Sequence, residues 1–278
     1  MSPRFSTLIA FLKARLSRKG YLGLHLTLGA FLLIGATWLF GLSAEDVVTG
    51  ESLTLLDVRF SAWLHAHHQQ SLIRAMLVIT HLHSMAAVSV LTITFALYLF
   101  RRRHRYWLIT LLLTVFGGMI LNVVLKNIFH RARPHFDDPI LTFSSYGFPS
   151  GHTMAATCFY GVVAAFAIWK IRAWPKRVLA VTLAAFMVLL VGFSRIYLGA
   201  HYLSDVLGAT MEGLAWLTLC LTAANTTWRM RHRENHQTEF HDGFVVTRSK
   251  NFFRYFSSGI KHTSYFPKTR YRLRATRL

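Results

Sequence analysis

Six apolar blocks, at residues 21–42, about 82–100, 106–125, 154–169, 178–193 and about 202–224, limit what this chain can fold into. A soluble domain spreads its apolar residues with a period. Unbroken runs near 20 residues suit helices that cross a bilayer, where backbone polar groups must be satisfied within the segment. The expected fold is therefore all-α: an integral membrane bundle of six helices with both termini cytoplasmic. The fourth block is the shortest, and it draws on the turn before it to complete its length.

The net charge of +20 would suggest a nucleic-acid partner in a soluble protein, but its distribution points to the membrane. With the N-terminus inside, the inside segments carry Arg4, Lys13, Arg15, Arg18 and Lys19, then Arg101, Arg102, Arg103 and Arg105, then Lys170, Arg172, Lys176 and Arg177, and the basic tail after Trp228. The outside segments carry only Arg59, Arg74, Lys126, Arg131, Arg133 and Arg195. Cytoplasmic loops concentrate Lys and Arg in this way, so a multi-pass protein of the plasma (inner) membrane is expected, with no nucleic acid. The first apolar block is longer than a signal-peptide core and reads as an uncleaved span. Cys158 and Cys220 both fall within apolar blocks and read as small buried hydrophobes.

Three parts follow. Residues 1–20 hold a short amphipathic segment for the cytoplasmic surface, residues 21–226 form the membrane domain, and residues 227–278 form a basic cytoplasmic tail that meets anionic headgroups. Within the outside segment 43–75, Leu56, Phe60, Trp63 and Leu64 recur at helical spacing and predict an interfacial helix. Residues 127–151 read as a polar, turn-rich outside loop.

Chemistry-bearing residues gather in three clusters at span ends: Lys126 with Arg133–Pro134, Pro149–Ser150–Gly151–His152, and Ser194–Arg195 with His201 and Asp205. Two spans separate the second cluster from the third, and none separates the first from the second. All three therefore reach one face, the one poor in positive charge. Lys126, Arg133 and Arg195 supply cations for a phosphate, Lys as a point charge and Arg as a planar fork. Gly151 and Ser150 open a helix, where unpaired N–H groups favour an anion; Ser150 either caps that helix or gives its hydroxyl to phosphate. His152 stands beside them, placed to donate a proton. His201 and Asp205, four apart, share a helix face, so the carboxylate can fix the imidazole and the imidazole can attack phosphorus. Arg131 lies off this spacing and reads as a loop charge. Glu212, deeper on the Asp205 stripe, is an intramembrane carboxylate with either a functional or a neutral packing role. His65, His67, His68, His81 and His83 lack the carboxylate or cysteine cluster that would complete a metal site, and no phosphate-cradling glycine loop supports ATP coupling.

The stretches KNIFHRARP, FPSGH and SRIYLGAHYLSDVLGA together resemble the signature of the type 2 phosphatidic acid phosphatase superfamily of integral membrane lipid phosphatases. The resemblance runs from Lys126 to Gly208, and the span pattern extends it over about residues 20–225. It implies a nucleophilic His201 that forms a phosphohistidine, Asp205 orienting it, and His152 protonating the leaving group and then activating water. Lys126, Arg133, Ser150, Gly151 and Arg195 would hold the phosphoryl oxygens. It implies no metal and no cofactor. The substrate would be a lipid phosphate or diphosphate at the outer face: undecaprenyl diphosphate, phosphatidic acid or phosphatidylglycerol phosphate. The alternative is a phosphotransferase that passes the group to another lipid. A scaffold or transporter with a dead pocket fits less well, because His152, Arg195, His201 and Asp205 are all present. Nothing in the sequence bears on oligomeric state.

Overall fold

The apolar blocks become helices and the polar stretches between them become turns. The computed structural model describes residues 24–50, 52–142 and 144–256, and among these it has eight helices and no strand. They are α1 (Leu24–Thr49), α2 (Ser52–Ala66), α3 (Gln70–Leu82), α4 (Met85–Arg101), α5 (Arg105–Phe129), α6 (Gly151–Lys170), α7 (Trp174–Tyr197) and α8 (Leu203–Phe256). The amphipathic segment expected in residues 1–20 lies outside the described residues. The chain divides into two compact units, Met1–Met230 and Arg231–Leu278, and the fold below is that of the first.

Among the described residues five helices are long and apolar enough to cross a membrane: Leu26–Thr49, Arg105–Phe129, Gly151–Lys170, Trp174–Tyr197 and Leu203–Met230. The expected second span is different in kind. α4 has 17 residues, fewer than any of these five, and it makes a full-length apolar span jointly with α3, from which it bends by 51°. The break has a local cause. His83 closes α3, and Ser84 opens α4 by accepting the Ala87 N–H on its side-chain oxygen, a cap that starts a new helix in a new direction. Helical periodicity carries straight through such a break, so the sequence reads one span at 82–100 where the chain has a bent pair.

The bundle is centred on α6, which packs against α4, α5 and α7. Of its span residues 61% are buried, against 6% for α1. Leu111 and Val115 of α5, Met154, Cys158 and Val162 of α6, and Ala209 and Leu217 of α8 form one continuous core. α5 and α6 meet closely at Gly118, where a Cβ would stand 3.0 Å from both Cys158 Sγ and Met154 Sδ. Small residues at such contacts let membrane helices pack without a hydrophobic driving force. By contrast Phe31, Ile34 and Trp38 of α1 are each at least 66% exposed. A continuous exposed apolar face of this kind has lipid as its solvent.

A second apolar cluster sits at the chemical end of the bundle: Leu64, Met76, Ile196, Tyr197, Leu198 and Val206. It joins α2 and α3 to the end of α7. The helix expected around Leu56–Leu64 is α2, with Leu64 buried and Leu56 and Trp63 exposed.

Candidate active site

Helix ends, rather than helix middles, carry the chemistry. α5 finishes just after Lys126, α6 begins at Gly151, α7 finishes just after Arg195, and α8 begins just before Asp205. Alternating directions bring these four ends to one end of the bundle, and a backbone hydrogen bond from Ser150 N–H to the Asp205 carbonyl (3.0 Å) ties the second cluster to the third. α7 runs through Arg195 to Tyr197, so Arg195 belongs to the last helical turn and not to the following loop. The turn itself relies on Gly199, at φ +65°, with the Phe136 ring packed where a side chain would go.

His201 is 1% exposed, and its two ring nitrogens face opposite partners. Nδ1 lies 3.2 Å from Asp205 Oδ2, which also takes the Tyr202 N–H at 2.9 Å. Nε2 lies 3.1 Å from Arg133 Nη1. A carboxylate accepts and a guanidinium donates, so the proton sits on Nδ1 and the lone pair on Nε2. The chain thus holds an imidazole whose unprotonated nitrogen faces a cation.

The cations are fixed by carbonyls and hydroxyls. Arg133 donates through Nη1 to the Ala200 carbonyl (2.7 Å), through Nε to the Ser145 carbonyl (2.7 Å) and through Nη2 to Ser145 Oγ (3.0 Å) and the Tyr146 carbonyl (3.2 Å). Lys126 Nζ donates to the carbonyls of Tyr146 (2.8 Å) and Gly147 (3.3 Å). Arg195, 1% exposed, donates through Nη1 to Thr80 Oγ1 at 3.1 Å, and that hydroxyl in turn lies 3.1 Å from Ser194 Oγ. His152, in the first turn of α6, is half-buried and lies within electrostatic range of Arg195, Arg133 and His201.

Ser150 is at the N-cap position of α6, yet its side chain makes no capping bond. Its Oγ accepts from Thr153 Oγ1 at 3.1 Å, which leaves its own hydrogen to donate. Of the two roles open to it in the sequence, the side-chain cap is not the one the structure shows. Gly151 keeps the floor open: a Cβ there would stand 2.5 Å from Met85 Cε and 3.1 Å from Asn122 Oδ1. All eight residues picked from the sequence therefore come together in one place.

One feature differs from the sequence reading. Arg131 is not a loose loop charge. It is tied through Nη1 to Asp205 Oδ1 and through Nη2 to Asp57 Oδ2 (2.8 Å), with its guanidinium 4.8 Å from the Tyr202 ring centre. Asp57 carried no signal, because its partner lies 74 residues away and no spacing rule links them. Glu212 is buried and accepts from Asn122 Nδ2 at 2.8 Å. The histidines considered for a metal have other duties: His65 meets Asp138 Oδ1 (2.9 Å), His68 meets the Tyr197 carbonyl (2.7 Å) and His83 meets Tyr160 OH (2.7 Å).

Burial first, and then the charges of Arg133, Arg195 and Lys126, push His201 well below its usual value near 6.5. Folded His201 therefore binds fewer protons than unfolded His201 over the interval between the two values. Stability rises with pH across that interval and is lost as pH falls from about 6.5. The melting temperature of the purified protein should fall between about pH 7 and pH 5, and His201→Asn should flatten that fall. Tryptophan fluorescence melts at several pH values measure both.

Comparison with known proteins adds a lineage to this geometry. A family model described as the PAP2 superfamily matches residues 107–229. Phosphatidylglycerophosphatase B of Bacillus subtilis (strain 168) is 39% identical over 138 residues, which is 49% of this chain and 67% of that protein. Undecaprenyl-diphosphatase BcrC of the same organism is 30% identical over 154 residues, covering 54% of this chain and 73% of that protein. The crystal structure of a transmembrane PAP2 type phosphatidylglycerolphosphate phosphatase from Bacillus subtilis matches with a TM-score of 0.63 at 31% identity, over 68% of this chain and 94% of that one.

Proposed function

This chain belongs to the PAP2 superfamily and is a multi-pass membrane lipid phosphatase, and from that premise we propose that it cleaves a lipid phosphate or diphosphate through a phosphohistidine on His201. One observation carries the reading: His201 Nδ1–H is committed to Asp205, and the Nε2 lone pair faces Arg133.

The steps follow from the atoms. Phosphoryl oxygens take hydrogen bonds from Arg133, Arg195, Lys126, the Ser150 hydroxyl and the N–H groups at the start of α6. His201 Nε2 forms a bond to phosphorus as the bond to the lipid oxygen breaks, and His152 gives that oxygen a proton. Positive charge grows on the imidazole and the Asp205 carboxylate balances it. Negative charge spreads over the equatorial oxygens, where three fixed cations already stand. In the second half His152 takes a proton from water, the hydroxide attacks phosphorus, and the bond to Nε2 breaks to release phosphate.

The site lies on the face poor in Lys and Arg, which supports action at the extracytoplasmic surface of the plasma membrane. The names of the relatives supply two candidate substrates, phosphatidylglycerol phosphate and undecaprenyl diphosphate, and the resemblance of the three motif stretches adds phosphatidic acid. Purified protein, assayed with and without EDTA, should release phosphate from at least one of undecaprenyl diphosphate, phosphatidic acid and phosphatidylglycerol phosphate. Acid quenching destroys a phosphohistidine, whereas alkaline quenching preserves it. A labelled phosphoenzyme should therefore appear after alkaline denaturation of a rapid reaction. Turnover with no alkali-stable phosphoenzyme would overturn the covalent route. Phosphate transfer only on addition of an acceptor lipid would replace hydrolysis with phosphotransfer.

A further inference from the structure

A chain of buried charge runs from α2 to the nucleophile, and its outermost member, Asp57, lies outside every stretch that carries the family resemblance. Asp205 uses both carboxylate oxygens: Oδ2 faces His201 and the Tyr202 N–H, and Oδ1 accepts from Arg131. Arg131 reaches past Asp205 to Asp57 Oδ2. Asp57 Oδ1 accepts the Ser204 N–H at 3.0 Å, and Oδ2 also accepts the Ser204 hydroxyl. The side chains of Asp57 and Asp205 are 0% exposed and that of Arg131 is 8% exposed.

From this we infer that Asp57 and Arg131 are a positioning pair for the nucleophile, Arg131 fixing Asp205 beneath His201 and Asp57 fixing Arg131 while offsetting its charge. The inference rests on His201 being the nucleophile. Two physical points support it. An Arg beside Asp205 alone would cancel the negative charge that His201 needs as it becomes cationic. With Asp57 added, the three groups together carry one net negative charge, the same as a lone carboxylate, but held by a planar fork at both ends. Secondly, charges this deeply buried are seldom kept unless paired, and breaking one leaves its partners uncompensated. α2 thereby joins the reaction at a distance, through Arg131 to Asp205.

Charge arithmetic gives a test that a merely structural role would not pass. The charged groups facing His201 and Asp205 are Lys126 of α5, His152 of α6, Arg195 of α7 and Arg133 of the loop, with Tyr202 beside them, and all stay in place. Asp57→Asn removes one negative charge, so protonating His201 becomes harder and the acidic limb of the kcat profile moves to lower pH. Arg131→Met removes a positive charge and moves that limb to higher pH. The double variant Asp57→Asn/Arg131→Met restores the single net negative charge, and its limb should return towards that of the parent. Each single change should lower kcat by about 10- to 100-fold, the range for groups that orient a histidine through another group. KM should stay within about threefold, because the phosphate-gripping cations are untouched.

Full-length protein in detergent, checked for folding by its melting curve, serves for all variants. Limbs that move in the same direction, or do not move, would overturn the pair. Should either single variant fail to fold, Arg131→Lys decides. Retained charge without the fork should lower kcat and leave the limb in place, and unchanged kcat would overturn the inference. His201→Ala, run alongside, separates the two layers. If it retains activity the nucleophile assignment fails; if it is inactive while the limbs behave alike, only the Asp57–Arg131 assignment fails.

Discussion

His201→Ala is expected to lower phosphate release by about 10⁴-fold or more, the scale on which enzymes lose rate when a covalent nucleophile is removed. KM should change little. The imidazole touches Arg133 but the cations are anchored independently, Arg133 by Ser145, Tyr146 and Ala200, and Lys126 by Tyr146 and Gly147. The variant should therefore still bind lipid phosphate and inorganic phosphate while forming no alkali-stable phosphoenzyme. Initial rates across substrate concentration, beside phosphate inhibition constants for both proteins, measure the separation. Loss of phosphate affinity in step with loss of rate would mean that the change had collapsed the pocket rather than deleted an attacking atom.

Asp205→Asn should be nearly as severe, about 10³- to 10⁴-fold in kcat, for a subtler reason. An Asn amide is the size of the carboxylate, but its nitrogen donates. Turned towards His201 Nδ1, it would force the proton onto Nε2, the tautomer that cannot attack. Turned the other way, the nitrogen would face Arg131, a donor meeting a donor. Either orientation leaves one partner unsatisfied, in a place where Asp205 is 0% exposed. A fall in melting temperature should accompany the loss of rate, since breaking a buried ion pair costs about 3–5 kcal/mol. Asp205→Glu, which keeps charge at the wrong length, should recover the melting temperature better than the rate. Equal recovery of both would argue that Asp205 acts only in folding.

Much of this site could be read directly from residue spacing, for physical reasons that also mark the limits of such reading. Lys126 and Arg133, the Ser150–His152 turn, and the His201–Asp205 pair are local patterns at helix ends. Helix ends are visible because hydropathy changes there. Two helices between the second and third clusters fix which end of the bundle each must reach. Arg131 had no such pattern: its meaning comes from Asp57, 74 residues earlier on α2 with three helices in between, and only folding brings them together. Glu212 was visible as an anomaly, but its partner Asn122 was one polar residue in an apolar run. The bend between α3 and α4 was missed because apolar periodicity persists on both sides of the His83–Ser84 junction. The cap on Ser84 was the one local sign of it.

The sparse burial of α1 has a practical consequence at the bench. What keeps this helix upright is the surrounding solvent more than the rest of the protein, since 6% of its span residues are buried. Its few protein contacts include Gly29 against Thr222 of α8, and Phe40, whose ring stacks 5.7 Å from that of Phe148. Phe148 immediately precedes Pro149 and Ser150, and its ring fills the space a side chain at Gly208 would need. A micelle is a poorer wall than a bilayer, so extraction would loosen α1 before α6. Through Phe40 and Phe148 that loosening is transmitted to the turn carrying the Ser150 hydroxyl. Choice of detergent is thus part of the chemistry of this enzyme, and activity recovered on return to lipid would report α1 settling back against its neighbours.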